Sequence, residues 1–114
     1  MQAKTNTQKG REAEMMAAQF LQNLGYTILL QNYRYKRGEI DIIASFDNTI
    51  IFVEVKSRKN NDFGFPEESV SNKKADLIHQ TADNYLISNN LTQNIRFDII
   101  AITAQTIEHL IDAF

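Results

Sequence analysis

"GEIDIIASFDNTIIFVEVKSRK", residues 38–59, is the stretch on which the fold turns. Two runs rich in isoleucine, valine and phenylalanine flank Asp47-Asn48, which predicts strands over 39–46 and 50–57 joined as a hairpin. Both runs are apolar enough for burial, yet the first carries Asp41 and the second Glu54 and Lys56. A charge in a strand built for burial is costly unless something compensates it.

With Asp47 and Asn48 as the two central turn residues, Phe46 pairs with Thr49. Counting up the ladder, Asp41 then faces Glu54 and Glu39 faces Lys56. Opposed residues project from one face and alternate residues share it, so all four side chains emerge together. Two carboxylates ~4 Å apart repel by about 4 kcal/mol at an effective dielectric of ~20. Three remedies exist: a proton on one acid, a bridge from Lys56, or a cation between them. The third suits an oxygen-seeking Mg²⁺ or Mn²⁺; Mg²⁺ takes its ligands at ~2.1 Å. A divalent ion beside two carboxylates and a lysine is a recipe for phosphodiester hydrolysis. The ion polarises the phosphoryl group, and the lysine, its pKa depressed by the cation, orients or deprotonates water. The competing reading is a buried ion network with no chemistry.

Upstream, Ala13, Met16, Ala17, Phe20, Leu21 and Leu24 recur at helical spacing. They predict a first helix starting between 7 and 10, with Gly25 as its left-handed stop and Glu12 at the margin of the apolar stripe. Residues 26–33 predict a first strand, and Arg34-Tyr35-Lys36-Arg37-Gly38 a basic turn. Downstream, Ser71 is a good N-cap for a second helix reaching about 88. Its core face is Ala75, Ile78, Ala82, Tyr85 and Leu86. A strand over 95–103 and a short element through 107–114 follow. A helix long enough to cross over between the third and fourth strands implies an α/β fold. The expected architecture is a mixed central sheet of four or five strands with helices packed on it, in one domain spanning 1–114.

Cysteine is absent, which excludes disulfides and thiolate metal sites and fits a cytoplasmic protein. No apolar run approaches the ~20 residues of a membrane span, and the first ten residues lack the hydrophobic stretch of a secretion signal. The net charge of −2 conceals an asymmetry, because eight of the twelve basic residues fall between positions 34 and 74. Arg34, Arg37, Arg58, Lys59 and Lys74 are candidate phosphate contacts, although each also reads as ordinary solubilising charge. Lys74 stands out because it falls in the first turn of a helix, where the dipole disfavours a cation unless an anion lies nearby.

Asp41, twelve residues, then Glu54-Val55-Lys56 resembles the signature of the PD-(D/E)XK nuclease superfamily. Within it, the chain is similar end to end to the YraN-type family of small bacterial endonuclease-like proteins, distantly similar to archaeal Holliday-junction resolvases. Gly10-Arg11-Glu12, Asn32-Tyr33-Arg34, Gly38-Glu39-Ile40-Asp41, residues 52–58, Lys74, Arg96-Phe97-Asp98 and Ala113-Phe114 carry that likeness. Ile40 replaces the signature proline. The resemblance implies a restriction-endonuclease-like core, with metal ligation by Asp41, Glu54 and the Val55 carbonyl. It gives Lys56 the catalytic lysine role and makes Glu12 the first-helix glutamate that completes the site. It also implies DNA as the substrate, in branched or repair and recombination intermediates. Contacting two arms of a junction would call for a homodimer. The alternative is a nuclease-fold module that binds structured DNA without cutting it.

Overall fold

The computed structural model describes residues 6–57, 70–104 and 106–114, with side chains from Gly10 onward. Its elements are α1 (Asn6–Asn23), β1 (Thr27–Tyr35), β2 (Gly38–Phe46), β3 (Thr49–Ser57), α2 (Asn72–Ser88), β4 (Asn94–Ile102) and β5 (Ile107–Leu110). The strands form one mixed sheet in the order β1-β2-β3-β4-β5, with β3 and β4 parallel and the other neighbours antiparallel. The crossover that parallel pairing demands is supplied by α2. No helix among the described residues is long and apolar enough to cross a membrane.

The central hairpin has the expected register. Asp47 (φ 51°) and Asn48 (φ 57°) both take left-handed conformations, as a type I′ turn requires, and pairing runs from Phe46–Thr49 to Ile42–Val53. There it stops, one step before Asp41 and Glu54. Ile42, Ala44, Ile51 and Val53 pack on the α1 side, while Ile43, Ile50 and Phe52 pack on the α2 side. Ile40 should share the α1 side with Ile42 but packs in the α2 cluster, so the alternation of β2 breaks at Asp41. On β1, Asn32 lies between the pairs Gln31–Ile42 and Tyr33–Ile40 and has φ 57°. The sheet therefore splits at Asp41.

The helices close as their sequences ask. Gly25 (φ 96°) ends α1 in a Schellman motif, with Tyr26 N–H donating to Leu21 O and Gly25 N–H to Gln22 O, both at 3.0 Å. The hydroxyl of Ser71 caps α2 by accepting the Lys74 N–H at 3.2 Å. The buried stripe of α1 differs from expectation: Ala13, Ala17, Ala18 and Leu21 are buried, whereas Met16 is 47% exposed and Leu24 50%. Small side chains let the helix backbone approach the sheet closely. The contact is thereby centred on the alanines, turning the helix so that Glu14 points inward with them. Arg34 is likewise not in the turn but in β1, facing Glu39 across the ladder, which leaves Lys36 and Arg37 as the turn.

Two polar features fix the frame around the split. Gly38 is pressed against α2 so tightly that a Cβ there would lie 1.9 Å from Thr81 Oγ1 and 2.8 Å from the Leu77 carbonyl oxygen. Gly38→Ala should therefore cost about 1–3 kcal/mol, read as a lower urea midpoint at unchanged slope. On the other side, Asp98 is fully buried and accepts hydrogen bonds from Arg96 (2.8 and 2.9 Å) and from the Asp112 N–H (3.0 Å). His109 Nε2 lies 2.7 Å from it, and Arg96 reaches on to the Tyr26 hydroxyl at 2.8 Å.

Candidate active site

Where β2 and β3 part, Val55 loses its ladder partner on β2. Its N–H donates instead to Asp41 Oδ2 at 2.8 Å, so the acid stitches the mouth of the split. Glu54, also buried, projects into the same cleft from β3. Lys74 Nζ donates to Glu54 Oε1 at 2.9 Å from the first turn of α2, and Lys56 Nζ lies 3.7 Å from the same oxygen. The cleft holds about 210 Å³, and Arg37, Glu39, Asp41, Glu54 and Lys74 are among its lining residues.

The charges are under strain. Burial, then the nearby Glu54 carboxylate, pushes the Asp41 carboxyl up to about 7, against the stabilising Val55 N–H. Burial, and secondarily contact with Lys74, holds the Lys56 amine below the ordinary lysine range even though Glu54 favours its charge. Burial also acts on Lys74, but its contacts with Lys56 and Glu54 outweigh it and raise that amine. The site thus holds one acid whose pKa is raised and one amine whose pKa is lowered, both first by burial.

Most of the anticipated side chains come together here. Asp41, Glu54, Lys56 and Lys74 converge, the backbone of Val55 joins them, and Arg37 lines the cleft. Arg34 does not: it is exposed and paired with Glu39 at 2.6 Å, which also takes Glu39 away from the expected contact with Lys56. Arg58 and Lys59 lie outside the described residues. Glu12 is on the exposed side of α1, about 200° around the axis from Glu14. The α1 glutamate that reaches Asp41 is Glu14. Burial, with the charges of Glu39 and Glu54, raises its carboxyl despite hydrogen bonds with Asn32 and Asp41. Asn32, whose short side chain tolerates the left-handed backbone, is the second residue the sequence reading passed over. The signal for Glu14 was available in the alanines: it sits four residues before Ala18 and seven before Leu21, on the small-residue side of the helix.

Among the described residues, no three aspartate, glutamate, histidine or cysteine side chains converge closely enough to hold an ion as they stand. Asp41 accepts the Val55 N–H, and Glu54 accepts a hydrogen bond from the Lys74 ammonium. The donor chemistry nevertheless fits a hard divalent cation. The available atoms are carboxylate oxygens, and the Asp41 carboxyl is raised first by burial and then by the neighbouring Glu54 charge, a repulsion that a cation between the two would relieve.

The profile of a family described as "Uncharacterised protein family UPF0102" matches residues 13–102. A UPF0102 protein of Sulfurihydrogenibium sp. is 49% identical over 109 residues, covering 95% of each chain. One from Clostridioides difficile is 49% identical over 112 residues, 96% of this chain and 98% of its own. A third, from Cytophaga hutchinsonii, is 46% identical over 106 residues, 92% and 94% of the two chains.

Proposed function

The chain belongs to the uncharacterised, YraN-like family UPF0102, and we propose that it is a metal-dependent endonuclease that hydrolyses phosphodiester bonds in DNA. The observation that carries this reading is the pair of buried acids at the split in the sheet, bracketed by two lysines, with Asp41 unwilling to ionise. The helix, three strands, helix, two strands order and the acids at the sheet's parting agree with a restriction-endonuclease-like core.

Asp41 and Glu54 would hold the cation, Mg²⁺ or Mn²⁺, aided by the Val55 carbonyl, with Glu14 completing the acidic wall. When bound, a divalent ion polarises the phosphoryl group and neutralises charge developing on it. Lys56, whose amine is held below the ordinary lysine range by burial, would orient the attacking water and accept its proton. Lys74, once the cation takes its place at Glu54, would turn its ammonium to the phosphate. The products would be a 5′-phosphate and a 3′-hydroxyl.

A second reading has its own support: Lys74 already satisfies Glu54, as in a module that binds structured DNA without cutting it. Incubating the protein with labelled duplex, flap, single-stranded and four-way-junction DNA separates the two. The nuclease cuts at least one of them in Mg²⁺ or Mn²⁺ and none in chelator. A binder leaves all intact and keeps its affinity in chelator.

A further inference from the structure

The catalytic cleft continues along the protein. A cavity of about 190 Å³ shares Arg37, Gly38 and Leu77 with it, and another of about 280 Å³ shares Tyr35, Lys36 and Gln80 with that one. Together they trace a channel between the β1–β2 turn and α2, running from Lys74 to Ile87. Its helix wall is Leu77, Gln80, Thr81, Asn84 and Ile87, aligned along one side of α2, with the Asp83 carboxylate at the edge of the outer cavity. The thirteen steps from Lys74 to Ile87, at ~1.5 Å each, give a length of ~20 Å.

The opposite wall is cationic. Lys36 and Arg37 form no ion pair with any described carboxylate, and Lys36 Nζ lies 5.2 Å from the centre of the Tyr35 ring. Gln80 and Asn84 supply hydrogen-bonding groups, and Ile87, 76% exposed, offers an apolar surface at the far end. At its middle the two walls meet, because Gly38 packs directly against Thr81 and Leu77. Cations, an aromatic ring and side-chain amides along a narrow track are what a single polynucleotide strand requires: phosphates meet the cations and bases stack or bond on the other side. A double helix would need a broader basic face.

We propose that this channel is the track of a single nucleic-acid strand, so that the substrate carries a single-stranded segment leading out of the catalytic cleft along α2. The direction of that lead rests on the nuclease reading; the strand binding does not. The test is fluorescence anisotropy with a labelled single-stranded oligonucleotide and its duplex, in chelator so that nothing is cut. Wild type should bind the single strand several-fold more tightly. The Lys36→Ala/Arg37→Ala variant should weaken it and reduce the log–log salt slope by about 1.4, that is ~0.7 per phosphate contact. Gln80→Glu, an exposed substitution that adds a second carboxylate beside that of Asp83, should weaken it as well while leaving the melting temperature unchanged. Equal affinity for duplex, or variants that bind the single strand as wild type does, overturns the proposal. So does a Gln80→Glu protein that turns from dimer to monomer on gel filtration, since the channel would then seat a second copy. Wild type that binds in this pattern yet cuts nothing sinks the nuclease reading alone. Cleavage that is indifferent to the channel variants sinks the channel alone.

Discussion

Asp41→Asn should lower cleavage by about a thousandfold or more and, in the same protein, raise the melting temperature of the metal-free form at pH 8 by several degrees. The first effect follows from removing a charged oxygen donor from the cation's place. The second follows from the direction of the Asp41 shift. Its folded-state pKa is raised from 3.8 to about 7, so the folded protein binds the proton more tightly than the unfolded chain does. The stability tied to that proton is fully present below about pH 4 and is lost as the pH rises through 7. Asparagine keeps an acceptor for the Val55 N–H and never ionises. The variant should therefore match wild type in stability near pH 4 and exceed it at pH 8. An acid that weakens the fold where the protein works is a cost expected of a site built to receive a cation. Lys56→Met should lose cleavage to a similar extent while still binding metal, since the amine is not among the proposed ligands.

The other large effect lies in the frame. Asp98→Ala should cost about 3–5 kcal/mol, much of the net stability of a domain this size. Asp98 is fully buried and holds Arg96, His109 and the Asp112 N–H at once, tying β4 to β5 and, through Arg96, to Tyr26. Alanine would leave the guanidinium, only 22% exposed, without its carboxylate. Burial opposes the Asp98 charge, but the hydrogen bonds of His109, Arg96 and Asp112 outweigh it and depress the pKa. A depressed acid stabilises above its unfolded value and loses that contribution as the pH falls through its folded one. With Asp41 acting in the opposite direction, metal-free wild type should be most stable at mildly acidic pH. Urea titrations across that range measure both arms.

The hairpin was legible because its register needed only the two-residue turn and the period of a strand. Asp47 and Asn48 accept left-handed conformations, and the apolar runs admit one alignment. The parting of β2 from β3 was not legible, because it depends on β1 next door. Asn32 turns left-handed there, and Ile40 crosses to the α2 side. Counting the ladder past Val53 therefore brought Asp41 near Glu54 by the wrong geometry, since Asp41 reaches the Val55 N–H, and it failed for Glu39, which goes to Arg34 rather than Lys56. Glu12 was read as the first-helix glutamate from the resemblance and from its place beside Met16, which hydrophobicity alone puts toward the core along with Leu24. Packing put the alanines there instead. Lys74 was visible as a cation out of place on a helix dipole, but its partner proved to be Glu54 within the protein.

The claim that matters most is that Asp41 and Glu54 together receive a divalent ion. Calorimetric titration of Mn²⁺ into the protein, in buffers of different ionisation heat, tests it without needing a substrate. Wild type should bind saturably, releasing a proton at pH 6, where Asp41 is protonated, and none at pH 8.5. Glu54→Ala should abolish the binding. Saturable binding that survives Glu54→Ala, or a wild type that takes up no Mn²⁺ at either pH, would contradict the account.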